Sequence, residues 1–449
     1  MHDLKDNKVV ILGAARSGLS AAIMLKKAGN SVFVSDINEK SMIKEKNYLS
    51  RSGIPFEFGK HSEQIYDADF VVLSPGIPST NEIVKSIAAR NIPIYSEIEV
   101  ASWFCRSDII AVTGSNGKTT TTTVLGKMLK HQYKDSFVAG NIGQPFSDFV
   151  LESSKGSWAA VEVSSFQLET IDRFHPNVAL ILNLAPNHLD WYETYEDYVL
   201  AKLRILRNLN PDDYVIIDGD DKELCERIIN CTSRKYKFSV TGRHAEAYLL
   251  NDSIFLFNEK IIDIEDIALF GPHNYKNLMA AGIAAKIAGV PSAEIASVMR
   301  SFNGVPHRLE YVTEIKGIRF INDSKATTLE SMEAALNSFR QPVILIAGGK
   351  DKGADFKRIR SLVGKKVKHA ILIGAARDRI ADTWDGVVPV TMADSLESAV
   401  RKGLEVSAAG DIVLLSPACS SFDMFQDFED RGKKFKQIIK RIKRQDENK

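Results

Sequence analysis

Thr113 to Thr120 read T-G-S-N-G-K-T-T, a run of glycines, hydroxyls and one lysine. Glycines let backbone N–H groups curl around a phosphate, and a helix N-terminus behind them adds positive potential. Lys118 can reach terminal phosphates, and the Thr119 hydroxyl can hold Mg²⁺. The spacing departs from G-x-x-x-x-G-K-[ST], because Val112 stands where the first glycine belongs. The context still fits: a strand-like run over 108–112 leads in, and a helical pattern over 121–130 leads out. ATP is the expected ligand of Gly114, Ser115, Asn116, Gly117, Lys118, Thr119 and Thr120. The bland alternative is a glycine turn with a chance lysine.

Five further side chains could do chemistry. Glu162 and His188 lie just past strand-like runs, where a carboxylate and an imidazole can join Thr119 around Mg²⁺. Mg²⁺ prefers oxygen, so a helix-capping Glu162 and a surface His188 remain an equal alternative. Lys202 flanks the apolar stripe of a helical run over 195–209, where a snorkelling lysine is the ordinary reading. Asn274 and Asn277 stand at a helix start, where asparagines usually cap.

Three α/β blocks must position these residues. The first opens with a strand, a Gly13–Gly18 turn and a helix. A second strand over 31–36 ends on Asp36, and a third over 69–74 ends at Pro75-Gly76. Ala15 replaces the glycine that admits a dinucleotide pyrophosphate, which favours another nucleotide-type ligand over NAD. The second block has strand candidates at 108–112, 158–163, 178–184 and 214–218. The third has them at 318–321, 343–347, 369–373 and 411–415. Each ends in a polar or glycine-rich turn, so doubly wound, mostly parallel sheets are expected. A closing stretch over 433–444 puts Phe435, Ile438, Ile439 and Ile442 on one helical stripe. That stripe either docks on its own domain or lies on a membrane.

The 449 residues allow about three domains. With 58 Lys and Arg against 57 Asp and Glu, no global field argues for nucleic acid or membrane. Four scattered cysteines without a C-x-x-C pair suit reduced thiols in a cytoplasm. No signal peptide is expected, because the first residues have no apolar stretch, and no run approaches a membrane span.

Beyond T-G-S-N-G-K-T-T, the chain carries E-V-S-S-F-Q-L-E from Glu162, G-P-H-N-Y-K-N from Gly271 and P-H-R-L-E from Pro306. It also carries N-D-S-K-A-T from Asn322 and S-P-A-C-S-S-F-D-M-F from Ser416. In this order, over the whole chain, it resembles the Mur ligases, ATP-dependent amino-acid ligases of peptidoglycan precursor synthesis. S-S-F-Q-L, S-P-G-I at Ser74 and S-P-A-C-x-S resemble the family's D-glutamate-adding branch.

The resemblance implies a Rossmann-like UDP-substrate domain over 1–99 and a central P-loop-type ATP domain over 100–304. A Rossmann-like amino-acid domain over 305–449 completes the α/β chain. It implies ATP and Mg²⁺ as cofactors, with Thr119, Glu162, His188 and Lys202 at the metal. Lys202 matches a lysine that is carbamylated in the family. Lys118, Lys202 and His188 are the implied catalytic set. Asn274, Asn277, Arg308 and Asp323 would meet the nucleotide. Ser17, Asp36, Ile37, Gly76, Asn141 and Ser164 would meet the UDP-linked substrate, UDP-N-acetylmuramoyl-L-alanine. Lys325, Thr327, Lys352, Ser421 and Phe428 would surround D-glutamate. Arg16, Ile37 and Asn38 depart from the family's usual uridine pattern. A cytoplasmic monomer without nucleic-acid partners is expected. Three other readings stay open: a related ligase with another acceptor, a regulatory nucleotide-binding protein, and an NAD-linked enzyme using the first block.

Overall fold

The computed structural model describes residues 4–39, 43–186, 191–267, 269, 271–339, 341–351 and 353–447. They form three sheets, numbered here in chain order. The first contains β1 (Lys8–Leu12), β2 (Ser31–Asp36), β3 (Phe56–Phe58), β4 (Phe70–Leu73) and β5 (Ile94–Ser96), in the order β3-β2-β1-β4-β5. All its pairings are parallel. Near-continuous Val, Ile and Leu runs suit strands covered on both faces. The order reverses beside β1, where open α/β sheets bind ligands at their carboxyl ends. The turn there holds Gly18 in the helix Arg16–Lys27. A Cβ on Gly18 would sit 1.9 Å from the Gly13 carbonyl, so the glycine pair serves close helix–strand packing.

The second sheet contains β6 (Asp108–Thr113), β7 (Phe137–Gly140), β8 (Trp158–Glu162), β9 (Val178–Ile181), β10 (Tyr214–Asp218) and β11 (Arg234–Ser239). A ribbon of β12 (Ala247–Leu250), β13 (Ser253–Leu256) and β14 (Glu259–Asp263) extends it. The order is β14-β13-β12-β11-β10-β9-β6-β8-β7. The ribbon strands pair antiparallel and the rest parallel. β6 lies between β8 and β9, so its carboxyl end opens on a crevice at a switch in strand order.

The third sheet contains β15 (Glu310–Ile315), β16 (Ile318–Asn322), β17 (Val343–Gly348), β18 (Val367–Ile373), β19 (Val390–Met392) and β20 (Ile412–Leu415). Its order is β15-β16-β20-β17-β18-β19, with β15 antiparallel to β16. Successive side chains alternate between two cores, as a pleat requires. Ile321 and Leu345 join Met332 and Trp384 on one face, while Phe320 and Ile344 join Phe435 and Ile439 on the other. The closing helix, Phe428–Glu447, buries Phe435, Ile439 and Ile442 in that second core. Docking on its own domain therefore accounts for its apolar stripe. Among the described residues no helix is long and apolar enough to cross a membrane.

The chain forms two compact units, Met1–Ser301 and Phe302–Lys449. The first two sheets share one unit, and the expected cut at 99/100 falls inside the helix Glu97–Ser102. Two buried carboxylates tie that helix to the central domain. Glu97 accepts the Ser147 N–H at 2.6 Å. Glu99 accepts N–H groups of Asp172, Arg173 and Phe174 at 2.8–2.9 Å.

Candidate active site

The loop after β6 turns through Gly114 and Gly117, and the helix Lys118–Gln132 starts directly behind it. Gly117 has φ +84°, and a Cβ there would meet Asn277 Oδ1 at 2.3 Å, so only glycine fits. Ser115 pins the loop's far side. Its hydroxyl donates to the Ala185 carbonyl and accepts the Ala185 N–H, both at 2.9 Å, and accepts the Tyr198 hydroxyl at 3.0 Å. The Asn183 side chain accepts the Asn116 N–H at 2.8 Å and donates to its carbonyl at 3.1 Å.

Two lysines converge on one carbonyl. Lys118 Nζ donates to Gly114 O at 2.7 Å and to Ser115 O at 3.0 Å. Lys202 Nζ donates to Gly114 O at 3.0 Å and lies over the Tyr198 ring, 4.5 Å from its centre. Lys202 is 1% exposed, so it does not snorkel to water. Burial, then the Lys118 charge, pushes its amine down to about 6. A capping box, Thr194 with Asp197, starts the helix Tyr195–Leu203 that carries it.

Glu162 ends β8 in register with Val112 of β6. Its Oε1 accepts from Asn141 Nδ2 at 3.1 Å, while its Oε2 is buried with no hydrogen-bond partner among the described residues. The residue that caps the next helix is Ser164, paired with Gln167 in a capping box, so the capping role does not fall to Glu162. An oxygen with no donor facing it suits a hard cation, so the site fits Mg²⁺. No cluster of three His, Cys, Asp or Glu stands among the described residues. His188 and Lys352 lie outside those residues.

Asn274 and Asn277 sit inside the helix Pro272–Ile287, whose N-cap is Gly271 without a side-chain cap bond. Both are buried, so capping is not their role; Asn277 packs on the phosphate loop at Gly117. On the first sheet, Asp36 accepts the Ala14 N–H at 2.7 Å and the Asn38 N–H at 2.8 Å, which fixes both βα turns. Ser17 is half-buried beside them, and Ile37 and Gly76 are exposed. Arg16 donates to the Gly143 carbonyl.

In the second unit, loops meet at the carboxyl ends of β16, β17 and β20. Asp323 accepts the Leu309 N–H at 3.2 Å and the Ser416 hydroxyl at 2.9 Å, and burial pushes its carboxyl up to about 7. Arg308 precedes Leu309 in the loop so held. Lys325 Nζ stands 5.9 Å from the centre of the Phe428 ring. Thr327 is half-buried and Ser421 is buried.

Three family models match the chain: MurD N-terminal domain over 8–83, Mur ligase middle domain over 112–285, and Mur ligase, glutamate ligase domain over 307–419. A UDP-N-acetylmuramoylalanine–D-glutamate ligase of Chloroherpeton thalassium is 38% identical, over 98% of this chain and 99% of its own. The protein of that name from Caldicellulosiruptor bescii is 40% identical, over 98% and 99%. The chain belongs to the Mur ligase family. The solved UDP-N-acetylmuramate-alanine ligase MurC of Thermotoga maritima shares the fold of this Mur ligase. Its TM-score is 0.60 at 19% identity, over 97% of this chain and 100% of that one.

Sequence reasoning alone left several functional features of the Mur ligase unread. Asn183 and Tyr198 hold the glycine loop, yet their role depends on side chains meeting across the sheet. Arg431 is buried and fastens two loops of the second unit. One arginine among three on a basic helix gives no local sign of burial. The one available signal was its place on the Phe435 stripe, four residues earlier.

Proposed function

We propose that this Mur ligase joins D-glutamate to UDP-N-acetylmuramoyl-L-alanine at the expense of ATP, as a cytoplasmic monomer in peptidoglycan precursor synthesis. The observation that carries the reading is the cluster at Gly114, where two lysines meet a glycine loop at a helix N-terminus beside the unpaired Glu162 oxygen. The relatives' names supply the acceptor.

The L-alanyl carboxylate attacks the γ-phosphorus of ATP, giving an acyl phosphate and ADP. The neutral amine of D-glutamate then attacks the acyl carbon and phosphate leaves. Such chemistry rests on positioning and charge neutralisation rather than on a side-chain nucleophile. The N–H groups of Gly114 to Thr120 cradle the phosphates, and Lys118 swings from its loop carbonyls to the transferring group. Thr119, Glu162, His188 and Lys202 would hold Mg²⁺, which offsets phosphate charge. A buried, neutral Lys202 amine can add CO₂ and release one proton to solvent, and the resulting carbamate would be an anionic ligand.

Asn274, Asn277, Arg308 and Asp323 contact the nucleotide. Ser17, Asp36, Ile37, Gly76, Asn141 and Ser164 line the path of the UDP substrate. Asp36 and Ser164 act there through the turns they hold. Lys325 and Lys352 meet the carboxylates of D-glutamate, Thr327 and Ser421 donate to it, and Phe428 walls its methylenes. The domains are 1–99, 100–304 and 305–449.

The test is phosphate release with ATP, Mg²⁺ and UDP-N-acetylmuramoyl-L-alanine, comparing D-glutamate, L-glutamate, L-alanine, L-lysine and meso-diaminopimelate. D-glutamate is expected to lead. An unmatched charged hydrogen bond costs about 1.5–3 kcal/mol, so two lost contacts make L-glutamate nearly inert. A better acceptor among the other four overturns the acceptor assignment.

A further inference from the structure

Arg431 lies in the first turn of the helix Phe428–Glu447 and is 1% exposed. A guanidinium has five donors in a rigid plane and no acceptor, so a buried one must be ringed by acceptors. Here two segments supply them. Nε donates to Ser324 Oγ at 3.0 Å and Nη2 to Ser324 O at 2.9 Å. Nη1 and Nη2 donate to Cys419 O at 3.2 and 3.1 Å.

These partners are two carbonyls and a hydroxyl, with no carboxylate among them. Asp323 and Asp423 act on the charge only through space. Burial pushes the guanidinium down to about 10, so it remains a cation at neutral pH. A buried cation without a paired anion is costly, and an apolar side chain would hold two loops with less loss of stability. The arrangement gains a purpose when an anion arrives nearby, because a fixed charge in a low-dielectric setting attracts it with little reorganisation.

The two segments are also the relevant ones. Ser324 precedes Lys325 after β16, and Cys419 stands two residues before Ser421 after β20. The Ser324 hydroxyl further donates to the Phe428 carbonyl at 2.8 Å. One side chain therefore sets the spacing of the segments bearing Lys325, Ser421 and Phe428. We propose that Arg431 is a positioning residue for the amino-acid substrate: it fixes the distance between the Lys325 and Ser421 loops and with it the preference for glutamate's chain length. This rests on the acceptor reading above.

The experiment measures KM for D-glutamate, ATP and the UDP substrate in Arg431→Lys, Arg431→Ala and Ser324→Ala. Arg431→Lys keeps the charge but cannot span both segments, so KM for D-glutamate is expected to rise about 10- to 100-fold, with the other two within about 3-fold. The D-glutamate to D-aspartate ratio of kcat/KM is expected to fall about 10-fold, since slack loops no longer measure one methylene. Added guanidinium ion should restore part of the D-glutamate KM in Arg431→Ala, while ammonium should not. If Arg431→Ala does not fold, the other two variants decide on the same KM split. Three KM values rising together, or none rising while only the thermal midpoint falls, would overturn the proposal and leave Arg431 as scaffold. A wild type that prefers another amino acid overturns the acceptor reading instead, and the KM split is then read with that amino acid.

Discussion

Lys118 donates to the loop carbonyls of Gly114 and Ser115 and is half-buried, so its removal opens no core cavity. Lys118→Ala is expected to keep its thermal midpoint and lose about 1,000-fold or more in phosphate release, several kcal/mol of charge contact to the transferring group. A folded variant with near wild-type turnover would sink the phosphate-loop assignment. Lys202 makes the opposite case, a lysine whose proposed role needs an uncharged amine. With its amine pushed down to about 6, roughly nine-tenths is neutral at pH 7, against well under one-thousandth for an ordinary lysine. Protein equilibrated with ¹³C-bicarbonate is expected to show a carbamate carbon that Lys202→Ala lacks. That variant should be inactive and rescued better by a short carboxylic acid than by an amine; the reverse ranking counts against a carbamate. The strand–loop–helix turn at Gly114–Lys118 was legible because strand, glycines and lysine are consecutive. Lys202 and Glu162 were not settled by spacing, since burial and a missing partner arise only when β6, β8 and the helix Tyr195–Leu203 pack together.

Among the elements, long apolar strands were read close to their observed bounds: 214–218 matches β10, while 178–184 overran β9, which stops at Ile181. The ribbon of β12 to β14 escaped notice, although its turns carry a signal. Asn251 and Asp252 both have positive φ, as the tight hairpin turns that match strand twist require. The helix Glu97–Ser102 shows how an element with no catalytic residue can still govern behaviour. Glu97 Oε1 accepts the Ser147 N–H, and its Oε2 is buried without a partner. Burial pushes the carboxyl up to about 7, against 4.5 for an ordinary glutamate, and the nearby Asp148 adds to the rise. The folded chain therefore holds a proton that the unfolded chain releases between about pH 4.5 and 7. Stability from this group is full below that window, falls as pH rises through it, and is flat above. The span is on the order of 3 kcal/mol. Glu97→Gln is expected to flatten the decline in denaturant midpoint from pH 5 to 7. An unchanged slope would show that Glu97 is ionised throughout.

At the scale of the whole molecule, the candidate site residues are divided between two units. The unit Met1–Ser301 holds the glycine loop after β6, Glu162 and Lys202, while Phe302–Lys449 holds Arg308, Asp323 and the loops fastened by Arg431. The cores of the second unit draw only on its own residues, among them Met332, Trp384, Phe435 and Ile439. Cooperative unfolding follows shared burial, so such a chain is expected to melt in two transitions rather than one. Each can be identified without a ligand, since Glu97 is buried in one unit and Arg431 in the other. Glu97→Gln should flatten the pH dependence of one transition, and Arg431→Lys should lower the other. ADP with Mg²⁺ then becomes a test of where the phosphates bind. A ligand at 100 times its Kd stabilises the unit that binds it by about 2.7 kcal/mol. The transition marked by Glu97→Gln is expected to rise by that order in wild type and far less in Lys118→Ala, which lacks the cation facing the phosphates. A rise confined to the transition marked by Arg431→Lys would place the phosphates in the second unit and refute the loop at Gly114 as their site.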